Sequence, residues 1–265
     1  MPIHADTFFL TIQNKNIEVQ RIGSDTSKPT IVFLHEGLGS MALWRDFPSQ
    51  VAGATNCPAI VYSRYGYGNS DVSRAPRPVS YLHDEALICL PELLEKLAVR
   101  NPILLGHSDG GSIALIYAGE HDQVKGLILL APHLFVEEIS IASIVAVKAA
   151  FETTDLREKL GLYHRDSGST FRGWNDIWLN PDFRSWNIEG YLPNVKCPVL
   201  AIQGLDDQYG TLAQLDAIAR QAQGPVELVH LPNCGHSPHR DQSETVLAAI
   251  RTFVARLTAT TEPNH

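Results

Sequence analysis

Largely apolar runs fall at 30–34, 59–62, 102–105, 124–130 and 198–202, each the length of one strand. Runs of this kind suit strands covered on both faces in a parallel sheet. Between the runs the spacing lengthens. Leu82, Ala86, Leu90, Leu93, Leu94 and Leu97 repeat with the period of a helix, as do Val246, Leu247, Ile250, Phe253, Val254 and Leu257. Further helices are expected at about 42–54 and 212–221, and a further strand at 226–230. Segments 8–12 and 17–22 flank Asn14-Lys15-Asn16, which predicts an antiparallel hairpin at a sheet edge. Alternating strands and helices predict an α/β fold with a doubly wound, mostly parallel sheet, whose ligands bind outside the carboxyl ends of the strands.

The alternation stops between 133 and 195. That stretch carries helical patches at about 137–151 and 156–162, then an aromatic region with Trp174, Trp178, Phe183 and Trp186. A structureless loop of that length is improbable in a compact domain. A helical cap, 133–195, inserted in a core formed by 1–132 and 196–265, is therefore expected. Three of the four tryptophans lie in this cap. They either pack its own interior or line a pocket, and Trp174 and Trp178 are the pocket candidates. The tail after Thr258 is expected to fray.

Charge and composition narrow the partners. A net charge of -8 and a pI near 5.7 argue against nucleic acid or an anionic membrane as partner, since either would favour a basic patch, and point to a small-molecule substrate. No apolar run approaches the roughly 20 residues of a membrane span, and residues 1–6 lack the pattern of a signal peptide, so a cytoplasmic location is expected. Cys57, Cys89, Cys197 and Cys234 are scattered without metal-ligand spacing and read as packing residues. Gly66-Tyr67-Gly68 lacks the third glycine of a dinucleotide loop, and no phosphate-cradling loop of the P-loop kind is present. Neither a cofactor nor a metal is expected.

The candidate chemistry centres on Gly106-His107-Ser108-Asp109-Gly110-Gly111, which follows an apolar strand and opens an apolar helix. Gly-x-Ser-x-Gly in that setting is a nucleophile elbow, with the serine held on a sharp turn above the sheet. Serine needs a base to take its proton, and the base needs an acid to fix its tautomer. His236, in a glycine-containing loop after the last strand, is the candidate base. Asp206 or Asp207, after the strand at 198–202, supplies the acid.

These motifs, in this order, resemble an α/β-hydrolase-fold serine hydrolase along essentially the whole chain. His35-Glu36-Gly37-Leu38-Gly39 resembles the family's oxyanion loop, Gly66 to Ser70 its glycine turn, and Gly204-Leu205-Asp206-Asp207 its acid turn. The resemblance selects Asp207 as the acid. It implies a catalytic triad of Ser108, Asp207 and His236, and an oxyanion hole from the N–H of Asp109 with that of Gly37 or Leu38. Glu36 and Asp109 depart from the commonest pattern and put carboxylates near the reacting carbonyl. In relatives that hydrolyse α-amino acid esters, an aspartate after the nucleophile receives the substrate ammonium. Glu36 and Asp109 are accordingly candidate substrate contacts, the other reading being pairing of Asp109 with Arg64 or backbone and of Glu36 with Arg64 or Arg45. His35, His107, His133 and His239 are expected to have no chemical role. The activity implied is hydrolysis of an ester, thioester or lactone through an acyl-enzyme. Carbon–carbon bond hydrolysis of ring-fission products, hydrolysis of α-amino acid esters and a non-catalytic ligand receptor are the alternatives.

Overall fold

The computed structural model describes residues 5–25 and 27–259. Its strands are β1 (Ala5–Ile12), β2 (Lys15–Ile22), β3 (Ile31–Leu34), β4 (Ala59–Tyr62), β5 (Ile103–His107), β6 (Gly126–Leu130), β7 (Val199–Gly204) and β8 (Val226–Leu231). They form one eight-stranded sheet in the order β1-β2-β4-β3-β5-β6-β7-β8. The predicted hairpin pairs antiparallel along its length and forms one edge, and β2 also runs antiparallel to β4. From β4 onward every pairing is parallel. The four strands β3, β5, β6 and β7 are buried at every position, the state that their unbroken apolar runs require.

Helices cover both faces. On one, α1 (Phe47–Thr55) and α10 (Ser243–Ala259) pack together over Phe33, Val61, Leu105 and Ile128. On the other lie α2 (Tyr81–Asp84) and α3 (Leu90–Lys96), joined by a π turn at Glu85–Cys89, with α4 (Asp109–Glu120). The helix expected over 42–54 is in fact a 3₁₀ turn at Ala42–Trp44 followed by α1. Arg45 at φ 54 breaks the path, and Pro48 is tolerated only in the first turn of a helix, which sets where α1 begins. At the other end, residues 260–265 of the expected frayed tail lie outside the described residues. Among the described residues no helix is long and apolar enough to cross a membrane.

Between β6 and β7 the chain builds α5 (Glu138–Thr153), α6 (Leu156–Gly161) and α7 (Ser167–Trp178), then 3₁₀ turns at Pro181–Ser185 and Glu189–Asn194. The periodicity did not predict α7. Its first turn is serine and glycine, which favour turns over helix, and it is held by Asp166, whose carboxylate accepts from the Ser169 N–H at 2.9 Å. Phe171, Trp174, Ile177 and Trp178 make its buried face. Phe183 stacks on Trp186 and meets Trp178 edge-on, with ring centres 5.2 Å apart in each case. These helices are tied to the core by Thr170, which donates to the Gly66 carbonyl at 2.7 Å. After β7, α8 (Ala213–Gln221) and the short α9 (Pro238–Asp241) complete the helices.

Candidate active site

Parallel strands bring their carboxyl ends to one edge, and the loops after β3, β5, β6, β7 and β8 meet there. Ser108 stands between β5 and α4 at φ 53, ψ -117, a conformation that costs a non-glycine residue about 1–3 kcal/mol. The surroundings enforce it. A Cβ at Gly110 would lie 1.9 Å from the Leu34 carbonyl oxygen and one at Gly106 would lie 2.2 Å from that of Gly110, so only glycine lets α4 sit this close to β3 and β5. The Ser108 N–H donates to the Leu130 carbonyl at 2.9 Å, and its own carbonyl accepts from Gly111 at 2.8 Å. Its side chain borders a cavity of about 350 Å³ whose wall also includes His236, His133, Trp174, Trp178 and Tyr209.

Asp207 follows β7, and His236 lies in the loop between β8 and α9. The His236 Nδ1 is 2.9 Å from both Asp207 carboxylate oxygens; a carboxylate only accepts, so Nδ1 carries the proton and Nε2 is left as the basic nitrogen. Asp207 also accepts from the Tyr209 N–H at 2.8 Å and from Gln203 Nε2 at 3.2 Å. Burial pushes its pKa up, but the hydrogen bond and charge of His236 with the Tyr209 N–H outweigh that and hold it below the usual value. Asp206 is exposed, and its N–H donates to the Cys234 carbonyl at 3.0 Å. Of the two adjacent aspartates, Asp207 is the one whose carboxylate meets His236.

The loop after β3 is fixed from behind. The Glu36 carbonyl accepts from His35 Nδ1 at 2.8 Å, from Arg64 Nη2 at 3.0 Å and from the Gly39 N–H at 3.0 Å. Because the Glu36 carbonyl and the Gly37 N–H share one planar peptide unit and point oppositely, these three bonds fix the direction of that N–H. Asp109 is the first residue of α4, where the backbone N–H has no acceptor within the helix. Trp174 lies over Gly37: a Cβ there would be 2.1 Å from its Nε1.

The two carboxylates singled out in the sequence are both engaged. Asp109 lies 3.6 Å from the buried Arg64 and accepts from Tyr81 at 2.9 Å, and Tyr81 in turn accepts from Trp178 Nε1 at 2.9 Å. Burial first, and then Asp109, push the Tyr81 phenol well above its usual pKa, so it remains a donor. Glu36 lies 3.5 Å from Arg240 Nη2 and 3.5 Å from His107 Nδ1. Burial would raise its pKa, but His107 and Arg240 hold it well below the carboxylate range. Arg240 therefore stands where Arg64 or Arg45 was expected, and Arg64 reaches the carbonyl of Glu36 instead of its side chain.

Histidines set aside in the sequence gather here. His107 Nε2 donates to the His236 carbonyl at 2.7 Å. The His133 ring sits 5.5 Å from that of His236 and 5.1 Å from Trp178, and burial pushes its pKa down to about 3. His239 is buried against Trp44 and Phe47. One signal for His133 was available, its place just past the carboxyl end of a central strand. Trp174 and Trp178 both line the cavity, whereas Trp186 packs behind Trp178. Among the described residues no group of three or more His, Cys, Asp or Glu could hold a metal ion.

Comparison with known proteins gives the same frame. Residues 31–249 match the family described as "Alpha/beta hydrolase family". A proline iminopeptidase of Lactobacillus delbrueckii subsp. bulgaricus is 24% identical over 273 residues, covering 87% of this chain and 91% of its own. A pimeloyl-[acyl-carrier protein] methyl ester esterase of Xylella fastidiosa is 25% identical over 204 residues, covering 64% of this chain and 78% of its own. Among solved structures, the alpha/beta hydrolase MGS-M2 from a Medee basin deep-sea metagenome library superposes with a TM-score of 0.75 at 22% identity, over 97% of this chain and 99% of that one. The sheet, the strained serine turn and the family match agree: this chain belongs to the alpha/beta hydrolase family and is a hydrolase.

Proposed function

We propose that this hydrolase cleaves a small, uncharged ester, thioester or lactone through an acyl-enzyme on Ser108. The observation that carries the reading is the Asp207–His236 pair, at 2.9 Å to both carboxylate oxygens, on the same cavity as a serine in a strained turn. Asp207 fixes the tautomer of His236, so that Nε2 takes the Ser108 proton as Oγ attacks the carbonyl carbon. The oxyanion then meets the N–H of Asp109 and that of Gly37 or Leu38. His236 returns the proton to the leaving group, and a water molecule repeats the sequence to release the acid.

Charge in the cavity supports an uncharged substrate. Among the described residues no lysine or arginine lines it, and of its carboxylates Glu36 and Asp109 have Arg240 and Arg64 as partners while Asp241 accepts from the Gly235 N–H at 2.8 Å. A ring-fission product carrying a carboxylate finds no cation there, and a substrate ammonium finds no free carboxylate at Asp109. The relatives named a peptidase and a methyl ester esterase both break an acyl bond, in keeping with this chemistry. A fluorophosphonate probe should label the wild type and fail to label Ser108→Ala, and p-nitrophenyl butyrate should be turned over by the first alone. Labelling of both proteins would move the nucleophile away from Ser108, and a wild type that is neither labelled nor active would favour a receptor on this fold.

A further inference from the structure

We propose that His133 is a specificity residue of this hydrolase, binding a hydroxyl group of the substrate, so that the enzyme prefers uncharged hydroxylated esters to their unsubstituted parents. This rests on the reading of Ser108 as the nucleophile and adds the substrate class.

The backbone at His133 is firmly held. Its carbonyl accepts from Ser112 Oγ at 2.5 Å, and the next N–H, of Leu134, donates to Gln214 Oε1 at 2.7 Å. The ring is confined between Trp178 and His236, and the residue is 3% exposed. Yet among the described residues neither ring nitrogen bonds another protein group, and Nδ1 is enclosed by protein. That leaves Nε2 for a molecule in the cavity. Several other polar side chains on this wall have protein partners: Glu36 has Arg240, Asp109 has Tyr81, His107 has the His236 carbonyl and Ser140 has the Tyr209 carbonyl.

Nδ1 is sealed off, so a bound molecule meets the ring at Nε2, and a substrate that fills the cavity without a polar group there leaves that nitrogen unpaired. The chemistry of that molecule follows from the ring. Burial keeps the imidazole neutral at neutral pH, since its pKa is pushed down to about 3, and so it offers no charge to a carboxylate or phosphate. Because no protein group fixes its tautomer, Nε2 presents either a proton or a lone pair. A hydroxyl, which both donates and accepts, satisfies either form, and the Trp178 and Ile144 side chains that line the same cavity suit an apolar carbon skeleton.

The test compares kcat/KM for matched esters. On the acyl side these are p-nitrophenyl butyrate and its 2-hydroxy and 3-hydroxy analogues. On the alcohol side they are butyl and 4-hydroxybutyl butyrate. The wild type should prefer at least one hydroxylated ester to its parent by about tenfold or more. In His133→Phe that ratio should fall to near one, with His133→Leu as a second apolar variant, while His133→Gln, which keeps a donor and an acceptor, should retain part of it. A wild type that prefers no hydroxylated ester, or a preference that survives in the apolar variants, would overturn the assignment. All rates are read against Ser108→Ala. Turnover that persists in Ser108→Ala would instead remove the functional reading itself.

Discussion

His107, the residue before the strained serine, hydrogen-bonds through Nε2 to the backbone carbonyl of His236 at 2.7 Å. A carbonyl only accepts, so Nε2 carries the proton, and Nδ1 is the nitrogen that faces Glu36 at 3.5 Å. One imidazole thus ties the turn that holds Ser108 to the loop that holds His236. His107→Ala should lower kcat by about tenfold to a hundredfold, the scale of loss for a small misplacement of reacting groups, and leave KM little changed. Steady-state kinetics on p-nitrophenyl butyrate measure this, and an unchanged kcat would show that the contact positions nothing.

The two adjacent aspartates separate the acid from its neighbour. Asp207→Asn should reduce kcat by roughly a thousandfold or more, because the amide no longer holds the His236 tautomer that leaves Nε2 basic. Asp206→Asn, at an exposed side chain, should stay within a few-fold of wild type. The reverse order would mean that the acid has been misidentified.

Removal of the Asp109 carboxylate should act on stability. Arg64 and Asp109 are both about 1% exposed, and loss of one partner leaves the other as an uncompensated buried charge. Asp109→Ala should cost about 3–5 kcal/mol of unfolding free energy, measured by urea denaturation. Asp109→Asn should change kcat/KM for a neutral ester and for a cationic α-amino ester by similar factors. A loss confined to the cationic ester would assign the carboxylate to substrate ammonium after all.

Buried neutral histidine makes the fold sensitive to acid. The folded-state pKa of His133 is about 3, below the ordinary value of 6.5, so below pH 6.5 the unfolded chain takes up a proton that the folded chain refuses. Stability from this group is therefore complete above pH 6.5 and declines as the pH falls toward 3. Between pH 7 and pH 5 it amounts to about 2 kcal/mol. His133→Phe should lose less stability over that interval than the wild type by about this amount. Identical pH dependence in the two proteins would contradict the shift.

Much of this architecture was legible because burial on both faces writes a strand as an unbroken apolar run, as at β3 and β7. Helix α7 was not, since its first turn, Ser167 to Thr170, is serine, glycine and threonine, and its apolar face emerges only when folded against the core. The elbow and the loops bearing Asp207 and His236 were readable from motif and order. Their surroundings were not. His107 and His236 are 129 positions apart, and Glu36 and Arg240 are 204 apart. Only the convergence of strand ends on one edge of a parallel sheet brings such residues together, and no local pattern records that.

An acyl-enzyme on Ser108 is open to capture by mass spectrometry of enzyme quenched in acid during turnover of p-nitrophenyl butyrate. One butyryl group is expected on the peptide that carries Ser108, with no such adduct in Ser108→Ala. A butyryl group on another residue such as Cys234, or full turnover by Ser108→Ala, would contradict it.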